Sequence, residues 1–139
     1  MATGAPDPQD PQKHLVYLWE EGWRSFDERT MSRVQVGRLV RRLARKWRVK
    51  SPPVRFIPKG KREWSYLQNG RLWFNFKQCN EAIVCHEMAH YVVSLNYDEV
   101  EDHGWEFMSL YLDMLEFAQV APRVALESSA HAAGIEWLP

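Results

Sequence analysis

The chain has 139 residues, of which 45% are hydrophobic and 13% aromatic, a composition typical of one globular domain and not of a disordered tail. Its longest run without Asp, Glu, Lys or Arg covers residues 88–97, whereas a membrane-spanning helix needs about 20 apolar residues. The net charge is zero, but residues 33–77 hold fourteen basic side chains against one acidic, and residues 78–139 hold eleven acidic against one basic. Such a basic block favours either a polyanionic partner or pairing with the acidic half of the same molecule.

The first third of the chain predicts a lead-in and two helices. Residues 1–12 contain three prolines, and we expect them to be a disordered lead-in. A first helix is predicted over about residues 13–26 from its apolar spacing. A second helix is predicted from a cap at Thr30 or Ser32 to about Arg48, with an apolar stripe along one side. The opposite side is rich in arginine and carries Arg38, Arg41, Arg42 and Arg45.

The middle of the chain predicts a small sheet. Pro52 and Pro53 end the second helix, and residues 54–57 form a short candidate strand. Asn69-Gly70 lies between two aromatic-rich runs, which is the strongest short-range signal for a β-hairpin. The sequence therefore predicts a hairpin built from residues 64–68 and 71–76.

Three further helices are predicted in the last part of the chain. The third runs from about Asn80 to residue 95 and is apolar nearly all round, which marks it as buried. The fourth covers residues 103–118, with Asp102 as its expected cap. The fifth begins at Pro122 and ends near Gly134. This order predicts an α+β fold in which helices pack on a small antiparallel sheet.

The third helix contains His86-Glu87-Met88-Ala89-His90, the pattern H-E-x-x-H. Residues four apart on a helix lie on one face, so both imidazoles can reach the same zinc ion at about 2.0–2.1 Å. Glu87 lies beside them and can take a proton from a water molecule at the metal. The alternative is a chance match, which the apolar helical context makes less attractive.

A catalytic zinc site uses three protein ligands, so a third is expected after His90. We prefer His103, because imidazole suits zinc better than carboxylate in this company. The other candidates are Glu99, Glu101, Asp102, Glu106 and His131. Two further interpretations apply to the acidic loop that contains Glu99, Glu101 and Asp102. Its side chains orient His103, or they are simply solvated.

The pair of motifs H-E-M-A-H at residues 86–90 and H-G-W-E-F at residues 103–107 resembles the SprT-like metallopeptidase family, which includes the Spartan-type proteases. The resemblance covers about residues 13–118 and extends to the order of the elements. It implies a single zincin-like domain over residues 13–139, with the H-E-x-x-H helix in its core. It also implies that His86, His90 and His103 are the zinc ligands and that Glu87 is the catalytic acid and base.

The reaction implied is zinc-dependent hydrolysis of peptide bonds in a protein substrate. Glu87 would take the proton of the attacking water and deliver it to the leaving amine. Residues 72–76 are our candidate for a sheet edge along which the substrate lies as an added strand, although an ordinary core strand explains the pattern equally well. The donor that stabilises the oxyanion stays open among four tyrosines: Tyr66, Tyr91, Tyr97 and Tyr111.

Two other functions are compatible with the sequence. One is a regulatory peptidase like the ImmA/IrrE group, which uses the same H-E-x-x-H pattern. The H-G-x-x-F motif favours the SprT-like family over this group. The other is a nucleic-acid-binding module with a structural zinc, although such a site has no use for Glu87. DNA is a candidate partner of this module and also of the SprT-like peptidase, through the basic helix face of Arg38, Arg41, Arg42 and Arg45. The two cysteines and the absence of a signal-like start predict a cytoplasmic protein that has no membrane partner.

Overall fold

A computed structural model describes residues 7–24, 30–58, 64–75 and 79–137. In these ranges the chain forms five helices and three strands, in an α+β arrangement as predicted. The elements are α1 (Lys13–Arg24), α2 (Arg33–Lys46), β1 (Val54–Phe56), β2 (Tyr66–Gln68), β3 (Arg71–Phe74), α3 (Glu81–Asn96), α4 (Trp105–Phe117) and α5 (Arg123–Ala132). No helix in the described part of the chain is both long enough and apolar enough to cross a membrane.

Two helices begin at side-chain caps. The Ser32 hydroxyl accepts a hydrogen bond from the Gln35 N–H, and the Gln35 side chain accepts one from the Ser32 N–H, which is a capping box. Asn80 caps α3 in the same way, because its side-chain oxygen accepts from the Ile83 N–H at 3.0 Å. These contacts satisfy N–H groups that have no partner inside the helix.

The cap predicted for α4 is wrong. The helix begins at Trp105, Gly104 occupies the cap position and Asp102 makes no cap. His103 therefore lies in the loop before α4, where contacts from the start of the chain hold it. The fifth helix follows the prediction, because Pro122 is its N-cap residue and Gly134, with φ of +80°, follows its end.

The predicted hairpin is confirmed, but the sheet is mixed and not antiparallel. Asn69 and Gly70 both have positive φ and join β2 to β3 in an antiparallel pair, while β1 runs parallel to β3. The strand order is β1-β3-β2, because the chain passes from β1 to the far side of the sheet before the hairpin brings β3 back between them. Residues 72–74 thus lie in the central strand, and the edge predicted there is wrong; Phe76 lies outside the described residues.

The core surrounds α3, which packs against α2, α4 and the two hairpin strands. Between residues 82 and 93 of this helix only Ile83 and His90 are less than fully buried. The largest fully buried side chains around it include Phe74, Phe107 and Tyr111. A helix that is apolar on nearly all sides needs such packing on all sides.

Residues 7–12 are not a free lead-in. The Asp10 N–H donates to the Asp7 carbonyl, and the Asp10 carbonyl accepts from the Lys13 N–H, so a turn leads directly into α1. The Asp10 side chain is buried against the loop before α4. The prediction of disorder is therefore wrong for this stretch, and residues 1–6 lie outside the described residues.

Candidate metal centre

His86 and His90 face each other on α3. They are four residues apart, so one helical turn places both imidazoles on the same side. Their Nε2 atoms are 3.2 Å apart, and their ring centroids are 4.9 Å apart. Glu87 is buried one position along and lines the same cleft.

His103 completes the group from the loop before α4. Its ring centroid lies 5.4 Å from that of His86 and 4.8 Å from that of His90. One nitrogen from each of the three imidazoles lies within 4.8 Å of the others, so together they could hold a metal ion. Among the described residues this group includes none of the other predicted third ligands: Glu99, Glu101, Asp102, Glu106 and His131.

A carboxylate from α1 orients His86. The Nδ1 of His86 lies 2.6 Å from Oε2 of Glu20, a residue with no exposed surface. The Tyr111 hydroxyl donates to the same Oε2. A carboxylate on Nδ1 makes that nitrogen the protonated one, which leaves the Nε2 lone pair directed toward the other two histidines.

A second carboxylate, from the turn before α1, orients His103. The backbone N–H of His103 donates to Oδ1 of Asp10 at 2.9 Å, and its Nδ1 lies 2.7 Å from Oδ2. The remaining ring nitrogen, Nε2, is buried and has no hydrogen-bond partner among the residues that the structure describes. A buried polar atom without a partner is costly, and a metal ion at this position would satisfy it.

Two of the three imidazoles are held in their neutral form. Burial, reinforced by His86 and His103, puts the pKa of His90 well below its usual 6.5. Burial also lowers the pKa of His103, although Asp10 opposes this. Both side chains are therefore neutral near pH 7, which is the form that binds a metal.

The three residues fit a metal with imidazole ligands. His103 offers its buried Nε2, and His86 has its outward nitrogen bound to a carboxylate, as metal-binding histidines commonly do. Three imidazoles suit zinc, copper, iron or nickel, so the chemistry of the ligands alone does not fix the metal.

The histidines lie at the base of a cleft of about 630 Å³. The side of this cleft formed by β2 includes Ser65, Tyr66 and Leu67. In the hairpin register Gln68 is opposite Arg71, and this pair flanks the two-residue turn and is hydrogen-bonded. Because hydrogen-bonded and non-hydrogen-bonded pairs alternate, the next residue, Leu67, directs its N–H and C=O groups away from β3. No strand of the described ranges pairs with the outer edge of β2, so the main-chain groups of Leu67 are directed outward beside the cleft.

Three tyrosines line the cleft, and two of the predicted oxyanion donors are engaged elsewhere. Tyr91 donates to the Lys50 carbonyl at 2.7 Å, and Tyr111 donates to Glu20. The cleft is lined by Tyr66 and Tyr97, which were predicted candidates, and by Tyr17, which was not.

Tyr17 stacks on His86 with ring centroids 6.2 Å apart and contacts the His103 ring edge-on at 5.2 Å. Burial, with a contribution from Glu20, raises its pKa above the usual 10, so the phenol keeps its proton and can donate a hydrogen bond. Sequence reasoning missed Tyr17, Glu20 and Asp10. Glu20 alone left a signal, since a charged residue four positions after the core residue Val16 falls on the apolar side of α1.

Within the described ranges the basic face of α2 makes no ion pair with the acidic half of the chain. Four exposed arginines, at positions 38, 41, 42 and 45, make no ion pair with any residue that the structure describes. The guanidinium of Arg42 lies over the Phe117 ring, 5.3 Å from its centroid. The acidic residues Glu99 and Asp102 are instead at the rim of the histidine cleft.

A comparison with known proteins found no matching family model, no matching curated protein and no matching solved structure.

Proposed function

We propose that this protein is a zinc-dependent endopeptidase of the SprT-like kind, which hydrolyses peptide bonds in protein substrates. The observation that carries the proposal is the convergence of His86, His90 and His103 at the base of a cleft that also contains Glu87. Two hydrogen-bonded carboxylates support the metal site, and the free edge of β2 beside it supports a peptide substrate.

The three histidines would hold the zinc ion through their inward nitrogens. When bound, zinc supplies Lewis-acid activation of water and of the scissile carbonyl. Glu87 takes the proton of the attacking water and delivers it to the leaving nitrogen. Its burial beside the histidines keeps it close to the reacting groups and away from bulk water.

The substrate would lie along β2 as an additional strand. Main-chain groups of Leu67 bind its backbone, which holds an extended peptide regardless of most of its side chains. This places the binding edge on β2 and not on residues 72–76. Tyr17, Tyr66 and Tyr97 are the phenols within the cleft that can donate to the developing oxyanion.

The test is the substitution Glu87→Gln, with Glu81→Gln on the same helix as its control. Loss of the base should reduce the hydrolysis of unfolded, labelled casein by about 10²–10⁴-fold, while zinc content measured by mass spectrometry stays at the wild-type level. Hydrolysis at the wild-type rate in Glu87→Gln would contradict the proposal. The control should keep both zinc and activity.

We also propose that the protein binds DNA through the basic face of α2. The observation that favours this is that the four arginines have no carboxylate partner within the described part of the chain. Reversing their charge with glutamate should greatly weaken binding to a fluorescent DNA duplex, measured at low salt where residual binding is still detectable. It should also reduce the slope of log affinity against log salt by about 0.9 for each phosphate that is no longer neutralised.

Casein hydrolysis by the same variant distinguishes a DNA-binding peptidase from a nucleic-acid-binding module with a structural zinc. In a DNA-binding peptidase, charge reversal greatly weakens DNA binding and leaves casein hydrolysis unchanged. Unaltered DNA affinity after charge reversal would eliminate this interface.

A further inference from the structure

The turn that precedes α1 holds the third histidine at three points. Asp10 binds its backbone N–H and its ring nitrogen, at 2.9 and 2.7 Å. The side-chain amide of Gln12 donates to its carbonyl oxygen at 2.9 Å. The same Gln12 side chain also pairs with the backbone N–H and C=O of Glu136, after α5.

We infer that residues 7–12 are an integral part of the metal centre, a clasp in which Asp10 is the positioning residue for His103. This inference rests on the metal site of the proposed function but does not need peptidase activity. The loop that carries His103 lacks helical hydrogen bonds of its own at this residue, because α4 begins only at Trp105. The clasp supplies the missing constraint from a segment 93 residues away along the chain.

The two oxygens of Asp10 have separate tasks. Oδ1 accepts from the backbone N–H and fixes the position of the residue, and Oδ2 accepts from Nδ1 and fixes the rotation and tautomer of the ring. With its proton on Nδ1, the ring presents the Nε2 lone pair to the metal. Both constraints act on a residue with 4% exposed surface, so water cannot readily replace the carboxylate.

Asparagine at position 10 would keep the shape of the side chain but only one of the two acceptors. If its amide nitrogen faced the ring, it would favour a proton on Nε2, which is the wrong tautomer for binding a metal. If its amide nitrogen faced the backbone, that nitrogen and the backbone N–H of His103 would be two donors facing each other, with no acceptor between them. Either arrangement weakens the hold on His103 without removing any metal ligand.

The experiment measures zinc affinity of the full chain by competition with a chromogenic chelator. Asp10→Asn should bind zinc about 10–100-fold more weakly than the wild type. Its Co²⁺-substituted form should show an altered visible absorption spectrum, since that spectrum reports the ligand geometry. The matched control is Asp98→Asn, which changes an exposed carboxylate that does not line the cleft and should leave both readouts unchanged.

Gln12→Ala is a second variant that does not touch the Asp10 contacts. It should weaken zinc binding by a smaller factor than Asp10→Asn, because only the hold on the His103 carbonyl is removed. Wild-type zinc affinity in both variants, or an equal loss of affinity in Asp98→Asn, would overturn the clasp. If the clasp variants bind zinc more weakly but the wild-type protein cleaves no substrate, the clasp is supported and the proposed peptidase function is contradicted.

Discussion

The two halves of the metal centre are built in different ways. His86 and His90 are on one helix, and the helical repeat places both imidazoles on one side, with their Nε2 atoms 3.2 Å apart. His103 is in a loop, and it is held in place by side chains of Asp10 and Gln12 from the opposite end of the chain. The spacing of the first pair is determined locally and only its ring orientation needs Glu20 from α1, whereas the position of His103 exists only when the tertiary structure has formed.

This difference indicates which part of the site should tolerate substitutions in its surroundings and which part should not. The helix α3 is buried on nearly all sides and is capped by its own preceding residue, Asn80. The position of His103 depends on a few buried hydrogen bonds to the residues before α1, next to the exposed residues Glu101 and Asp102. Changes to the cap and packing of α3 should therefore act mainly on stability, and changes around His103 should act mainly on the metal.

The largest effect is expected from removing a ligand in either half. His90→Ala and His103→Ala should each reduce zinc from about one ion per chain to near zero after dialysis, since a catalytic zinc site depends on three protein ligands. Mass spectrometry of the native protein checks the stoichiometry. His131→Ala, on the exposed side of α5, is the control and should keep its zinc. Full zinc content in His103→Ala would show that the loop contributes no ligand.

A smaller effect is expected from Glu20→Gln, which changes the support of His86. The variant should lose about 10–100-fold in zinc affinity, because the carboxylate that fixes the ring is gone. It should also lose about 1–3 kcal/mol in the free energy of unfolding, because a buried hydrogen-bonded network is disturbed. Urea unfolding of the metal-free protein measures the second quantity. Glu21→Gln is the matched control on the exposed side of α1 and should match the wild type.

Asn80→Ala should separate the two halves most clearly. The loss of this cap should reduce the free energy of unfolding by about 1 kcal/mol. Zinc affinity well below the melting temperature should be unchanged, because neither the histidines nor their carboxylates are touched. If zinc affinity fell along with stability, the helix would not be the rigid half that we describe.

The smallest effect concerns the two thiols near the start of α3. Burial raises the pKa of Cys79 from 9.0 to about 12, and that of Cys85 rises as well for the same reason. Near pH 9 both thiols therefore stay neutral in the folded protein, while they ionise in the unfolded chain. Their contribution to the free energy of unfolding is therefore fully present below pH 9 and is lost as the pH rises toward the folded pKa. From pH 7 to pH 9 the loss should be about 0.4 kcal/mol for each thiol.

Urea unfolding of the metal-free protein at the two pH values measures this loss. A double variant with alanine at both positions should show a smaller decrease than the wild type. An unchanged decrease would mean that other groups cause the pH dependence.

The parts of the fold that follow local rules could be predicted from the sequence. The cap at Ser32, the Asn69-Gly70 turn and the ligand pair on α3 all depend on residues within a few positions of each other. The choice of His103 came from a short motif, and the structure places it with the other two histidines.

The rest depends on contacts between distant segments. Nothing near Asp10 in the sequence indicates that its carboxylate contacts a residue 93 positions later, and its proline-rich surroundings suggested disorder. The mixed sheet was missed for a similar reason, because a strand order of β1-β3-β2 depends on the path of the connection and not on the strands themselves. The acidic loop was a plausible support for His103, and only the tertiary structure shows that Asp10 does this instead.

The bridge from Gln12 to both His103 and Glu136 has a consequence for the order of events during synthesis. Contacts of such long sequence separation raise the contact order and form late, whereas helices and hairpins form early. On the ribosome, α3 can fold and present its histidine pair long before Glu136 has left the exit tunnel. We therefore expect His103 to reach its final geometry after α3 has formed, when the residues before α1 and after α5 come together around its loop.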